Sequence, residues 1–536
     1  MKDIDIITLS VVQKALENIA YEMAIVLRKT AYSPNIKERR DFSCAIFNEK
    51  AEIIASKDGI PVHLGSMDLS VEAGINKFKN ISKGDVLIHN TPHNFGTHLP
   101  DITLYTPVFI NQNDKPTFFI ACRAHHSDVG GKTPGSMPGY SASLFEEGIQ
   151  IPPIKLWEKN LINSSIFDLI LANVRTPKER YGDFYAQKAA LTIGEKRLIE
   201  LLEKFSLDDF NKIISELANR SEKAMIEQIR KIPINQEFTA SDFMDSDGSD
   251  KKEPIEIKVS IQRKQNNPDR LIVDFTGSAE QRKANINATR GITRSALFYC
   301  LRYLLYEIGD LPTNYGLWRP LDLILPENSI VNSSYPYATS SGNVETSQRL
   351  VDVIFLALSP INSLKVPAAS QGTMNNILIG GYDSRPNKNE FFSYYETLAG
   401  GSGGTPDGPG LSGVHTHMTN TLNTPVEAIE ISYPIQIKKY EIRLNSGGSG
   451  KFAGGDGLIR EYIILSETAS VSLQTERRLS QPYGLFNGEN GLSGKNIKHS
   501  DQEEILPDKI TLELKKNDRL TIFTPGGGGY GRKQQI

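Results

Sequence analysis

Histidines are concentrated in one stretch of this sequence. Five of the nine lie between residues 89 and 126, Asp101 stands among them and Asp128 follows just after them, so that the set is His89, His93, His98, Asp101, His125, His126 and Asp128. Imidazole nitrogens and carboxylate oxygens are common ligands of divalent metal ions. A single histidine is more often a hydrogen-bonded residue than a ligand, and the His-x-x-Asp spacing is not a specific motif. The residue types alone therefore leave metal binding and a structural role both open.

Two apolar runs around this stretch predict a β-hairpin. Residues 102–110 and 117–121 are typical of strands, and the turn Asn111-Gln112-Asn113-Asp114 separates them. Paired strands of a hairpin bring their outer ends together, so the imidazoles and carboxylates would meet at one rim of a sheet. A register slip of one residue moves a side chain to the other face. Both His125 and His126 therefore remain candidate ligands, with a slight preference for His126.

Composition excludes several classes of protein. The chain has 536 residues, which is too long for one compact core and predicts two or three domains. A formal charge of −3 provides no general attraction to nucleic acid or to an anionic membrane. The three cysteines form no CxxC motif and their number is odd, as expected in a reducing compartment without a disulfide framework. No signal peptide and no run of ~18 apolar residues is present, so we expect a soluble cytoplasmic protein.

The pattern along the chain predicts an α+β, multidomain fold. Apolar residues recur every three or four positions over 9–29, which predicts a helix, and residues 164–231 are predicted to be largely helical. We expect mixed or antiparallel sheets with helical segments and a glycine-rich, mostly β C-terminal region. The predicted division is an N-terminal metal-bearing region (1–235), a middle α+β region (236–440) and the glycine-rich region (441–536). No glycine-rich phosphate-binding loop is present.

Many longer motifs then point to one family. In chain order they are SPNIKERRDFSCAIF, IPVHLGSM, GTHLPDIT, HHSDVGG, TPGSMPG, GNVETSQR, VPAASQGTMNN, YYETLAGG, GVHTHMTNTLNTPVEA, GGDG and TPGGGGYG. The chain resembles the hydantoinase B/5-oxoprolinase family, which includes N-methylhydantoinase B, the C-terminal half of 5-oxoprolinase, the caprolactamase small subunit and, more distantly, acetone carboxylase subunits. The resemblance covers nearly the whole chain and says less about the substrate than about the family.

The resemblance implies a two-component, ATP-dependent hydrolase of cyclic amides. An A-type partner subunit would bind ATP and phosphorylate the substrate oxygen, and this chain would hold a divalent metal whose bound water attacks the activated carbon. Hydantoin, N-methylhydantoin, 5-oxoproline or a similar lactam would be the substrate. By the family motifs the ligands and catalytic groups are drawn from Asp41, His98, Asp101, His125 and His126. Zinc, manganese and iron all suit such a set. Asp128 is expected to orient one imidazole from outside the ligand set.

One motif departs from the family. Many relatives read NDP where this chain reads Asn90-Thr91-Pro92, followed by His93, so a carboxylate is missing and an imidazole is added. His93 is one candidate for contact with substrate. Polar residues in glycine-rich motifs are further candidates, namely Glu345, Glu396, His415 and His417.

Two other functions remain open at this point. One is a subunit of an ATP-dependent ketone carboxylase of the acetone or acetophenone type. The other is a non-catalytic subunit that only positions its partner. The residues of the THLPD and HHSDVGG motifs resemble those of the hydantoinase branch more closely, which favours cyclic-amide hydrolysis.

Overall fold

The computed structural model describes residues 4–57, 59–93, 95–110, 114–249, 254–309, 311–361 and 364–533. Within these residues the chain forms helices and four β-sheets whose strands are mostly antiparallel. This architecture confirms the predicted α+β class. No helix among the described residues is both long enough and apolar enough to cross a bilayer.

The first sheet contains the predicted hairpin. Its seven strands follow the order β2-β1-β5-β4-β3-β6-β7 and pair antiparallel. They are β1 (Phe42–Asn48), β2 (Ile53–Lys57), β3 (Val86–His89), β4 (Asp101–Val108), β5 (Phe118–His125), β6 (Ile154–Glu158) and β7 (Leu161–Ile162). Strands β4 and β5 are buried along their whole length, as expected of a sheet covered on both faces. The pairing of these two strands confirms the hairpin; turn residues 111–113 lie outside the described residues.

Helices cover both faces of this sheet. They are α1 (Ile6–Thr30), α2 (Pro34–Lys37), α3 (Met67–Lys77), α4 (Ser164–Ala172), α5 (Pro177–Leu202) and α6 (Leu207–Ile229). Helix α1 begins after Asp5, whose carboxylate accepts hydrogen bonds from the first free backbone N–H groups. Its apolar stripe packs with α5 against the face that carries Cys44 and Cys122, while α3 covers the opposite face. The helices predicted over 9–29 and 164–231 are confirmed.

The second sheet and two long helices form the middle of the molecule. The strands are β8 (Glu237–Met244), β9 (Ile255–Gln262), β10 (Leu271–Asp274) and β11 (Leu321–Ile324), in the order β11-β10-β9-β8. Among the described pairs of this sheet, β10–β11 is parallel and the others are antiparallel. Helices α7 (Arg290–Leu304) and α8 (Ser347–Leu358) share a core with the sheet, and a π-helical turn, Gly342–Thr346, precedes α8.

The last two sheets pack face to face. The elements are β12 (Asn376–Asp383), β13 (Glu390–Thr397), α9 (Val426–Ser432), β14 (Ile435–Arg443), β15 (Gly457–Ile464), β16 (Thr468–Gln474), β17 (Lys495–His499), β18 (Glu503–Leu506), β19 (Lys509–Lys515) and β20 (Arg519–Phe523). The third sheet is ordered β13-β12-β16-β19 and the fourth β14-β15-β20-β17-β18, with one apolar core between them. The third sheet takes strands from both sides of residue 440. The three-domain division therefore stays a prediction.

Candidate metal centre

Three of the predicted ligands converge at the strand ends along one rim of the first sheet. His98 lies in the loop before β4, Asp101 opens β4, and His125 closes β5. The His98 Nε2 atom lies 3.2 Å from His125 Nδ1 and 3.2 Å from Asp101 Oδ1, and His125 Nδ1 lies 3.3 Å from the same oxygen. Two zinc ligands at 2.0–2.1 Å in a tetrahedron are about 3.3 Å apart. The three atoms therefore have the spacing of a coordination shell.

No arrangement of protons on neutral rings satisfies these three contacts at once. If both imidazoles donate an N–H to Asp101 Oδ1, the two donor nitrogens lie 3.2 Å apart and neither accepts a proton from the other. If either nitrogen is instead an acceptor, it meets the carboxylate lone pairs without a proton between them. A cation among the three atoms removes the conflict, because all three can then present lone pairs to it. The chemistry of the donor set thus fits a divalent metal.

Strand pairing explains why His125, and not its neighbour, joins this group. Asp101 is the direct partner of His125, and on the other side Phe42 pairs with Ala124, which places Asp41 beside His125. Paired residues project to the same face of a sheet, and successive residues project to opposite faces. Asp41, His125 and Asp101 therefore share one face. Asp41 lies near His125, but the trio of close atoms does not include it.

His126 lies on the opposite face of the sheet. Its Nε2 atom is 3.0 Å from Gln187 Oε1, and the centroid of its ring is 4.8 Å from that of the Phe184 ring. Gln187 and Phe184 both belong to α5. Burial lowers the pKa of His126 to about 3, so the ring is neutral. The structure thus places the slightly preferred of the two histidines away from the trio and in the core under α5.

Burial and neighbouring groups together set the protonation of Asp101 and His125. His98 is fully buried, and Asp101 and His125 are each 3% exposed. Burial by itself would raise the pKa of Asp101, but the neighbouring imidazoles of His98 and His63 and the hydrogen bonds of His125 and His63 hold that pKa well below its usual value. Burial lowers the pKa of His125. An ionised carboxylate and a neutral imidazole are the forms in which these residues bind metals.

The third sheet closes over the trio. The ring of Tyr395, on β13, stacks on the His125 ring at 4.6 Å between centroids. The Arg39 guanidinium lies 4.5 Å from the centre of the same tyrosine ring and donates hydrogen bonds to the Tyr395 carbonyl and the Thr397 hydroxyl. The Asn35 side chain donates to the His125 carbonyl at 2.7 Å. These contacts fix the orientation of His125 from outside the first sheet.

Two neighbours of Asp101 were missed as site residues by sequence reasoning. His63 Nε2 lies 3.4 Å from Asp101 Oδ2, and Thr97 donates its hydroxyl to the same oxygen at 2.6 Å. Both residues stand inside family motifs, IPVHLGSM and GTHLPDIT. That position in a motif was the available signal, although it does not show which atom each side chain contacts.

The contacts of Asp128 differ from those expected of a residue that orients an imidazole. Its carboxylate accepts hydrogen bonds from the backbone N–H groups of Gly130, Gly135 and Arg175, and from the Arg175 guanidinium at 3.0 Å. Gly130 and Gly135 have positive φ values, 89° and 86°, which favour glycine. Asp128 therefore holds the loop after β5 in shape.

The other candidate histidines lie outside the trio, and each has its own surroundings. His93 Nε2 is 3.3 Å from the Ser333 hydroxyl, and burial lowers the His93 pKa to about 4. Burial likewise lowers the pKa of His415 to about 4, and the charge of Arg39 acts in the same direction. His417 belongs to another cluster, with Nε2 3.4 Å from Asp352 and Nδ1 3.4 Å from the Tyr299 hydroxyl.

Two candidate glutamates are deeply buried. Glu396 accepts hydrogen bonds from the Thr424 backbone N–H and the Tyr394 hydroxyl, within the core between the last two sheets. Glu345, in the π-helical turn, accepts from the Met374 backbone N–H at 3.0 Å and the Asn376 side chain at 2.7 Å. Asn376 in turn accepts from the Tyr395 hydroxyl, so Glu345 is linked to the ring that stacks on His125.

Comparison with known proteins identifies the family of this chain. The model of the family "Hydantoinase B/oxoprolinase" matches residues 5–533. The chain belongs to the hydantoinase B/oxoprolinase family. An uncharacterized protein of Methanocaldococcus jannaschii is 43% identical over 98% of this chain and 91% of its own length. The B-type subunit of a putative D-/L-hydantoinase of Pseudomonas sp. is 32% identical over 99% of this chain and 90% of its own length. The 5-oxoprolinase of Dictyostelium discoideum is 37% identical over the whole chain, which spans 41% of that protein.

Two solved structures share the fold. ATP-dependent caprolactamase from Pseudomonas jessenii superposes with a TM-score of 0.88 and 28% identity over 99% of this chain and 92% of that one. Nucleotide-free acetone carboxylase superposes with a TM-score of 0.89 and 18% identity over 98% of this chain and 76% of that one. The second likeness concerns the fold alone. The family expected from the sequence motifs is confirmed.

Proposed function

We propose that this chain is the metal-binding B-type subunit of a two-component, ATP-dependent cyclic-amide hydrolase. The substrate class is a hydantoin, 5-oxoproline or a similar lactam, activated by phosphorylation of its oxygen on an A-type partner. The buried trio of His98, Asp101 and His125 carries this proposal, because its 3.2–3.3 Å spacing and its donor set suit a divalent cation. The names of two relatives, a hydantoinase and a 5-oxoprolinase, support the reaction class.

The chemistry of such a site answers the resistance of an unstrained amide to water. A divalent cation, when bound, lowers the pKa of a coordinated water and polarises a substrate oxygen. The chain's own contribution is to present one carboxylate oxygen and two ring nitrogens at fixed positions. The stacking of Tyr395 and the hydrogen bond from Asn35 hold His125 in place, so little reorganisation is needed on binding.

The burial of the trio has a consequence for the route to the site. With each residue no more than 3% exposed, the trio is closed to a ring-sized substrate in this structure. A substrate that arrives already activated from the partner then needs either a local opening or a passage formed with the partner. Water exclusion would protect a phosphorylated intermediate from solvent during the transfer.

The partner is the A-type subunit. Relatives of this family differ in length: the chain spans 90% of the B-type hydantoinase subunit but 41% of a 5-oxoprolinase. We propose that the remainder of the longer proteins corresponds to the ATP-binding component, which this chain binds as a separate subunit. A stable complex of this kind should bury more than ~1,000 Å².

The test is a reconstituted assay with matched variants. The purified chain and an A-type partner are combined with ATP, and phosphate release and ring opening are measured with hydantoin, N-methylhydantoin, 5-oxoproline and caprolactam. We expect turnover only with both subunits, and loss of ring opening in His98→Ala. ATP hydrolysis by the highly purified chain alone would contradict the proposal.

A ketone with bicarbonate belongs in the same assay. Carboxylation there, without hydrolysis of any cyclic amide, would replace the proposed reaction with that of a ketone carboxylase. Full ring opening by His98→Ala would instead indicate a subunit that only positions its partner.

A further inference from the structure

His63 lies directly behind the candidate metal centre. It closes a short 3-10 helix, Pro61–His63, and is 1% exposed. Its Nδ1 atom is 2.9 Å from the Ser43 hydroxyl, and its Nε2 atom is 3.4 Å from Asp101 Oδ2. We infer that His63 is a positioning residue which, together with Ser43 and Thr97, holds Asp101 so that Oδ1 faces the two ligating histidines. This inference rests on the proposed metal centre.

The partners of the two His63 nitrogens, the Ser43 hydroxyl and the Asp101 carboxylate, favour a proton on Nε2. The Ile60 backbone N–H donates to Ser43 Oγ at 2.9 Å. A hydroxyl has a single hydrogen, and with the Ile60 bond received at a lone pair, that hydrogen is free to point at His63 Nδ1. When the hydroxyl donates in this way, Nδ1 accepts and a ring N–H lies on Nε2, which faces the Asp101 carboxylate. The imidazole thus directs an N–H toward Asp101 and no lone pair.

The two carboxylate oxygens of Asp101 consequently have different partners. Oδ2 receives the Thr97 hydroxyl at 2.6 Å and faces His63 Nε2, which has no nearer hydrogen-bond partner among the described residues. Oδ1 faces His98 Nε2 and His125 Nδ1. Rotation of the carboxylate would cost the donors on Oδ2, so the group is held ready to bind a cation through Oδ1. Residues that orient a ligand in this way typically contribute about 10- to 100-fold to metal affinity.

The surrounding backbone is shaped to keep His63 in this place. A Cβ atom at Gly59 would lie 2.1 Å from Ser43 Oγ, so only glycine leaves room for the serine hydroxyl. On the other side, Ser66 donates its backbone N–H to the His63 carbonyl at 3.3 Å, and the Arg123 guanidinium donates to the Ser66 hydroxyl. Arg123 is the strand partner of Ser43. The segment that carries His63 is therefore fastened to the same sheet that carries Asp101.

Three variants separate positioning from simple packing. His63→Leu removes both ring nitrogens, whereas His63→Gln keeps an amide N–H that can donate to Asp101. His89→Leu is the matched control, since His89 is also a histidine of 1% exposure, but its ring packs edge-on against Tyr105 and neither of its nitrogens contacts Asp101 in the described part of the chain. Zn²⁺ affinity is measured by competition with a chromophoric chelator, and the visible spectrum of the Co²⁺ form reports the ligand geometry.

We expect about 10- to 100-fold weaker Zn²⁺ binding in His63→Leu, with an altered Co²⁺ spectrum. His63→Gln and His89→Leu should stay close to wild type. Wild-type affinity and spectrum in His63→Leu would overturn the inference. Where His63→Leu does not fold, Ser43→Ala decides, because it keeps the imidazole and removes its hydroxyl partner; weaker binding supports the inference and unchanged binding overturns it. A wild-type protein that takes up neither Zn²⁺ nor Co²⁺ would instead refute the proposed metal centre.

Discussion

His125 and His126 are adjacent in the chain but lie on opposite faces of β5 and therefore respond differently to replacement. His125→Ala removes a nitrogen from the trio and should abolish tight binding of Zn²⁺. His126→Ala leaves the trio intact but removes the hydrogen-bond partner of the buried side-chain oxygen of Gln187. Such a loss typically costs about 1–3 kcal/mol of stability. Metal content by elemental analysis and urea unfolding of both variants measure the two effects.

Each variant of this pair is the control for the other. A destabilised His126→Ala protein with full metal content shows that loss of a buried histidine does not by itself empty the site. The assignment of His125 would be contradicted by metal-loaded His125→Ala alongside metal-free His126→Ala.

Glu345 should make stability depend on pH. Its side chain is fully buried, and that burial raises its pKa to about 8 from an unperturbed 4.5. Between these values the folded state keeps a proton that the unfolded state has lost, so stability falls as pH rises, by about 1.4 kcal/mol per pH unit. Glu345→Gln retains a carbonyl for Met374 and Asn376 but cannot ionise. Urea unfolding at pH 5 and pH 8 should show a smaller loss in this variant than in wild type, and an equal loss would contradict the assignment.

At the scale of elements, the parts readable from the sequence are those set by local pattern. The spacing of Leu9, Val12, Leu16 and Ile19 predicts α1, and the apolar runs around residues 102–121 predict β4 and β5. Because a hairpin joins its outer ends, the meeting of Asp101 with the end of β5 was also predictable. The choice between His125 and His126 was not, since it depends on the register in which β5 pairs with β4 and β1.

Contacts between distant segments could not be read from the sequence. Tyr395 stacks on His125 from a strand of the third sheet, and His63 reaches Asp101 from a separate 3-10 helix. Neither contact follows from periodicity or from turn chemistry, because both depend on how whole sheets and loops pack. Family motifs included both Tyr395 and His63 without showing these partners.

The loop after β5 should depend on the Asp128 carboxylate for its stability. Asp128→Asn replaces a carboxylate that accepts three backbone N–H groups and pairs with Arg175. We expect a loss of about 1–3 kcal/mol in stability and faster proteolysis within residues 129–136, with Zn²⁺ affinity unchanged. Limited proteolysis and the chelator competition measure these. A large loss of Zn²⁺ affinity with an intact loop would show that Asp128 orients an imidazole after all.

For the whole molecule, the trio lies where the ends of β4 and β5 in the first sheet meet a face of the third sheet. Arg39 joins the two through its bonds to the Tyr395 carbonyl and the Thr397 hydroxyl, and Ser393 donates its hydroxyl to the Ser127 carbonyl. The ligands themselves all come from the first sheet and its loops. A bound cation would therefore stabilise an interface whose other half, the Tyr395 ring, holds His125 in place.

Metal binding should consequently be visible in the stability of the entire chain. A ligand that binds only the folded state stabilises it by about 2.7 kcal/mol at a free concentration about 100 times its Kd. Wild-type protein stripped with a chelator should thus melt at a lower temperature and regain its Tm when Zn²⁺ is restored. His98→Ala should melt like the stripped protein and gain nothing from Zn²⁺, because the site has lost a ligand while the fold keeps its core. His126→Ala, although less stable, should still gain from Zn²⁺ as wild type does. If chelation leaves the wild-type Tm unchanged, or if His98→Ala gains as much from Zn²⁺ as wild type, the stabilising ion does not reside at this trio.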